Sequence, residues 1–117
     1  MVITLPLPHK LLSPNARPHH MALARVKKNH RIDAMMTALG EMSQPAPKWE
    51  KATALCRFYF KDKRKRDKDN ALASLKSYFD GLADAGVVVN DCGITHAPSE
   101  FHVDAENPRV EIQIEES

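Results

Sequence analysis

Apolar positions recur along this chain with a helical period in some stretches and an alternating period in others, and each stretch predicts an element. Val2-Ile3-Thr4-Leu5-Pro6-Leu7-Pro8 reads as a short strand whose prolines put it at a sheet edge or run it into a loop. From Leu12 to His20, two prolines, an asparagine and a serine predict an irregular loop. From about His20 to Met42 proline is absent, and Met21, Ala24, Ala34/Met35, Ala38 and Met42 fall at helical intervals, with Gly40 weakening the end. Ser43-Gln44-Pro45-Ala46-Pro47 predicts a linker within one domain. Between Trp49 and Phe60 the period becomes two: Ala52, Ala54, Cys56, Phe58 and Phe60 share one face and Leu55 and Tyr59 the other, the pattern of a strand. Leu72, Leu75, Phe79, Leu82 and Gly86 are then spaced by three and four, which predicts a helix from about Asn70 to Ala85 with Gly86 as its stop. Val87-Val88-Val89 reads as a short buried strand ending at Asn90-Asp91, and Glu100 to Val103 and Arg109 to Ile114 as two more.

These elements are two main helices and several short strands, and 117 residues make one domain, 1–117. At 43% hydrophobic and 27% charged the chain can supply a modest core. Its apolar runs are far shorter than the roughly 20 residues needed to cross a bilayer, and no charged start followed by an apolar segment opens it. A soluble cytoplasmic protein with no membrane partner is expected, and its two cysteines, Cys56 and Cys92, are expected as reduced thiols. The net charge of +2 conceals a split. Residues 1–76 carry 16 Lys and Arg against 6 Asp and Glu, whereas residues 77–117 carry 1 against 9. A basic region on a small domain points to a polyanion such as nucleic acid, or else to a merely solvated surface.

The chemistry concentrates in Asp67-Lys68-Asp69-Asn70 and Asp91. Carboxylates one residue apart share a side of an extended backbone, and the turn after Val89 can bring a third to them. Hard oxygen donors of this kind suit Mg²⁺ or Mn²⁺, which activates water and neutralises charge in phosphodiester hydrolysis. The same residues have a structural reading, in which Asp69 or Asn70 caps the helix and Asp67 is a solvated acid. Lys76, seven residues after Asp69 and about 10 Å along a helix, lies on nearly the same face and can reach a phosphate there, or else pairs at i,i+4 with Asp80. Lys61 to Arg66 holds five basic residues beside the acids, where phosphates would approach. The six histidines and two cysteines show no zinc-site spacing and read as ordinary surface or loop residues. A Gly-rich phosphate loop and a G-x-S-x-G elbow are both missing, which argues against nucleotide hydrolysis and serine esterase chemistry.

Arg66-Asp67-Lys68-Asp69-Asn70, Leu75-Lys76-Ser77-Tyr78-Phe79-Asp80-Gly81-Leu82, Ala85-Gly86-Val87 and Asn90-Asp91, in that order and spacing, resemble the RusA family of Holliday junction resolvases. Leu12-Ser13-Pro14-Asn15-Ala16-Arg17-Pro18-His19 is similar to the N-terminal loop of its phage-encoded members. The resemblance implies a small α+β domain, a mixed β-sheet with two main helices, forming a homodimer that binds four-way DNA junctions and makes paired nicks with Mg²⁺ or Mn²⁺, serving DNA recombination and repair in a bacterial or phage-infected cell. It makes Asp67, Asp69 and Asp91 the metal-binding catalytic aspartates and Lys76 the active-site lysine. In the founding type the interval from Asp69 to Lys76 is about one turn shorter, and many members have paired aspartates where this chain has Asn90-Asp91. On this reading Asn70 and Asn90 support the metal site from behind, and Arg17, Lys63, Arg64, Lys65 and Arg66 meet backbone phosphates. The alternatives are a module that binds junction or duplex DNA without cutting, and a nuclease for other branched DNA.

Overall fold

The alternating segment after Trp49 forms strand β2 (Ala52–Phe60), the middle of a mixed sheet of five strands among the described residues. The structure is a computed structural model and describes residues 1–12, 19–42 and 45–117. Most of the predicted N-terminal loop, Arg17 included, and Ser43-Gln44 of the predicted linker lie outside those residues. On one side β2 pairs antiparallel with β5 (Arg109–Glu116), and β5 pairs antiparallel with β1 (Val2–Leu5), which takes the edge position its prolines predict. On the other side β2 carries two parallel neighbours end to end: β3 (Ile94–His96) beside Ala52–Ala54, and β4 (Glu100–Val103) beside Arg57–Phe60.

Register places the alternating residues in rows. Ile3, Ile112 and Cys56 form one row across the buried face, and Leu5, Val110, Phe58 and Phe101 the next. Helix α1 (His20–Glu41) packs on β1 and crosses α3 (Lys76–Asp84) over this face. The predicted stripe of α1 holds in its C-terminal half, where Ala34 and Ala38 are fully buried, but not at its start, where Met21 is 62% exposed and the inward side runs through Leu23, Val26 and His30 instead. Ring stacking of His30 on Tyr78, centroids 4.9 Å apart, supplies the contact that apolar periodicity did not register.

The helix expected from Asn70 to Ala85 is two helices, α2 (Lys68–Ala73) and α3. Ser74 breaks it. Its hydroxyl donates to the Ala71 carbonyl at 2.6 Å, and the Leu75 N–H bonds Leu72 instead, one residue short of the α-helical partner. The predicted stripe survives the break, with Leu75, Phe79 and Leu82 buried. At roughly 1.5–3 kcal/mol per buried side chain, these anchor α3 to the core and fix its exposed side, which bears Lys76. Gly86 ends α3 as expected, at φ 87°, with Val87 N–H on the Leu82 carbonyl at 3.1 Å and Gly86 N–H on Ala83 at 3.0 Å.

Two tail elements differ from expectation. Val87-Val88-Val89 is no strand: a single parallel bridge joins Val88 to Trp49, and Val89 is turned outward as the chain enters the turn at Asn90. Ile94–His96, too short for periodicity to reveal, is the strand β3. Both thiols are free, Cys56 buried and Cys92 exposed, as the reduced reading expects.

Candidate active site

Helix α2 begins at a cap. Asp67 has extended backbone angles, and its Oδ1 accepts the N–H groups of Asp69 at 3.0 Å and Asn70 at 3.1 Å. The capping role open to Asp69 or Asn70 from sequence therefore falls to Asp67, an arrangement worth about 1 kcal/mol to the helix. Freed from capping, Asp69 stands exposed in the first turn, facing a cleft of about 510 Å³.

Three further elements complete that cleft: α3 gives Lys76 and Phe79, the short turn Asp91–Gly93 gives Asp91, and β3 gives His96. Lys76 Nζ donates to Asp80 Oδ1 at 2.6 Å and to Asp91 Oδ2 at 2.5 Å. The i,i+4 pair with Asp80 read from the sequence is thus present, and Lys76 also pairs with an acid of the cleft that the sequence did not offer it. The Asp80 hydrogen bond, then that from Asp91, raises the lysine pKa, and the Lys76 ammonium holds the Asp91 carboxyl below its usual range. Asn90 positions Asp91 by accepting the Cys92 N–H at 3.1 Å, which caps the turn. The His96 ring meets Phe79 edge-on at 4.8 Å, and partial burial lowers its pKa, which favours the neutral imidazole.

Of the three aspartates expected together, two share the cleft. Asp67 and Asn70 instead line a neighbouring cleft with Arg66 and Ser74. Among the described residues no group of three or more His, Cys, Asp or Glu side chains could by itself hold a metal ion. The donor set still fits a hard divalent cation in one respect: Asp69 and Asp91 offer carboxylate oxygens from two elements to an open cleft, and Mg²⁺ is commonly held by one or two carboxylates plus water and substrate phosphate.

The basic segment divides in two. Lys63, Arg64 and Lys65 are exposed. Arg66 folds back onto its own loop, with Nη1 on the carbonyls of Asp62 at 3.1 Å and Arg64 at 2.8 Å and Nη2 on Asp62 Oδ1 at 2.9 Å. Its guanidinium lies 4.0 Å from the Phe60 ring centre. Arg66 therefore shapes the loop that presents its three neighbours. Sequence reasoning named Asp80 only as a surface partner and His96 only as a loop residue. The i,i+4 spacing from Lys76 could have raised Asp80 to the site, but only parallel pairing of β3 with β2 brings His96 there.

The profile of the family described as endodeoxyribonuclease RusA matches residues 13–115, most of the chain. A relative from Xylella fastidiosa (strain Temecula1), itself named an uncharacterized protein, is 36% identical over 85 residues. That match covers 71% of this chain and 56% of the relative, so the chain spans little more than half of the relative's length. The protein belongs to the RusA endodeoxyribonuclease family. That family comprises metal-dependent nucleases of the Holliday junction resolvase type.

Proposed function

We propose that this protein is a Mg²⁺-dependent endodeoxyribonuclease that resolves four-way DNA junctions by paired nicks, acting as a cytoplasmic homodimer. The observation that carries this reading is the cleft in which Asp69, Lys76 and Asp91 meet from three elements, beside an exposed run of cations. Asp69 and Asp91 would hold the ion, with Mn²⁺ able to replace Mg²⁺. When bound, the ion polarises the scissile phosphate and makes water a better nucleophile. Asp67 orients the first turn of α2 and with it Asp69, and Asn90 does the same for Asp91. Lys76 is 66% exposed despite its two carboxylate partners, so its ammonium can turn toward phosphate. As water adds to phosphorus, its proton passing to solvent, and the opposite P–O bond breaks, the Lys76 ammonium would donate a hydrogen bond to the departing oxygen and offset its charge until solvent protonates it. Lys63, Arg64 and Lys65 grip backbone phosphates and set register without reading sequence. Two copies related by a two-fold axis would put one cleft on each of two opposed strands, giving paired cuts. No helix among the described residues is long and apolar enough to cross a membrane.

Incubation of the purified protein with a labelled four-way junction, with a flap substrate and with linear duplex, in Mg²⁺ or EDTA, tests this reading. Symmetric nicks on the junction, lost in EDTA and in Asp69→Asn while that variant still binds, are expected. Binding without cleavage in Mg²⁺ and in Mn²⁺ would leave a DNA-binding module, and equal cutting of the flap would make it a general branched-DNA nuclease. Light scattering that gives the mass of one chain, with or without junction, would remove the dimer.

A further inference from the structure

A second cleft, of about 350 Å³, opens between the 61–66 loop and β4, on the other flank of the α2 N-terminus from the acids. Its floor is aromatic. Phe60 and Phe101 are only partly buried, lie with rings 9° from parallel at 6.2 Å, and rest on the buried Phe58, whose ring is 5.2 Å from that of Phe101. Its rim is cationic, with Lys63, Arg64, Lys65 and Lys68 around the opening. Such a volume lies at the small end of the roughly 300–1,000 Å³ typical of small-molecule sites, and nothing in the cleavage chemistry requires an accessible phenyl ring there.

We infer that this cleft takes one unpaired DNA base, stacked on Phe101 beside the Arg66-covered ring of Phe60, while the surrounding lysines and Arg64 hold the phosphates on either side of it. Aromatic faces beside a basic groove stack bases of single strands, whereas bases within a duplex cannot reach them. Lys68 Nζ stands 5.3 Å from the Phe101 ring centre, a loose contact that an incoming base displaces, leaving the ammonium free to meet that nucleotide's phosphate. Arg66, by contrast, is held against Phe60 by its loop and closes one side of the ledge. Lys68 faces this cleft and Asp69 the acidic one, so both clefts flank the first turn of α2 and a strand that crosses this turn can reach the two together. The ledge thereby selects DNA that can release a base next to the cut, as a branch point does. The inference rests on the DNA-cutting reading and adds how that site distinguishes its substrate.

Fluorescence anisotropy in EDTA tests it, with a labelled four-way junction, the same junction carrying one abasic residue at each position around the branch, and a single-stranded oligothymidine. Phe101→Leu, which keeps apolar bulk on Phe58 but removes the ring, is expected to weaken junction and oligothymidine binding by roughly 5- to 150-fold, and Phe101→Tyr to retain both. One abasic position should weaken wild-type binding by the same factor, and on that junction Phe101→Leu should have no further effect. Should Phe101→Leu fail to fold, the abasic series on wild type decides alone: one weak position supports the ledge and uniform affinity overturns it. Unchanged affinity in a folded Phe101→Leu protein overturns it as well. Oligothymidine separates the two proposals, because loss of junction preference with stacking retained refutes only the junction reading, and the converse refutes only the ledge.

Discussion

An alanine at position 81 would drive its Cβ to 2.2 Å from the Arg31 carbonyl oxygen and 2.9 Å from the Ala34 Cβ, because Gly81 lies where α3 crosses α1. Real Cβ atoms essentially never come closer than 3.0 Å, so the shortfall at the carbonyl is 0.8 Å, from 3.0 minus 2.2, and the obstacle is backbone rather than the end of a flexible side chain. The two helices must separate. Overpacking of this kind costs about 1–3 kcal/mol, and a backbone clash belongs at the upper end, while replacing a helical glycine by alanine returns about 1 kcal/mol. The net expectation is a loss of about 2 kcal/mol, which at about 3–6 °C per kcal/mol for a chain of this size lowers Tm by about 6–12 °C. Gly40, in α1 with nothing within 4 Å of its would-be Cβ, is the matched control, and Gly40→Ala should raise Tm slightly. Thermal melts by circular dichroism measure both. Since α3 carries Lys76 and Asp80 while Asp91 stands on a separate turn, Gly81→Ala should also slow junction nicking at a temperature where it is fully folded. A Gly81→Ala protein that melts at or above wild type, or a Gly40→Ala protein that loses as much, would refute the reasoning.

The Asp91 carboxyl sits below its ordinary value of 3.8 because Lys76 donates to it, so its contribution to stability is complete above 3.8 and disappears as pH falls through the lower folded value. Acid unfolding followed by circular dichroism should therefore be steeper in wild type than in Asp91→Asn, and identical acid limbs would show that the pair contributes nothing. Burial pushes the Cys56 thiol up to about 12, whereas Cys92 is exposed. Iodoacetamide near pH 8 should add one label per native chain and two in denaturant, as read by mass spectrometry; rapid double labelling of the native protein would contradict the burial of Cys56.

How much of this molecule was legible in its sequence depended on how each element is held. Strand β2 was readable because five alternating residues face one core, and β5 because Val110, Ile112 and Ile114 do the same. Strand β3 was not, since three residues cannot display a period and its position comes from parallel pairing with β2. The inward face of α1 was legible from Ala34 onward but not before it, because the stretch ahead of Ala34 is held by His30, a residue that counts as polar in a pattern but stacks on Tyr78 in the fold. At the site the acids were visible as residue types, and their division of labour was not. That Asp67 is the helix cap was hidden because α2 begins at Lys68, two residues before the Asn70 start that the apolar period suggests.

The break at Ser74 ties these observations together. In a straight helix every side chain between Asp69 and Lys76 would be fixed by the same core stripe. Here α3 is anchored by the buried Leu75, Phe79 and Leu82, whereas α2 has no fully buried residue and is held mainly by the Asp67 cap and the half-buried Ala71 and Leu72. The two halves of the cleft therefore differ in what it costs to move them. Displacing Lys76 or Asp80 means disturbing three core side chains at roughly 1.5–3 kcal/mol each, while tilting α2 and its Asp69 disturbs only the half-buried Ala71 and Leu72. Lys76 and Asp80 on α3 form the firmly anchored part of the site, and the acid on α2 the less firmly anchored one. For the junction cleavage proposed above, such a division would let α2 yield to a bulky branched polyanion while α3 stays in place, and it follows from a serine hydroxyl taking the Ala71 carbonyl.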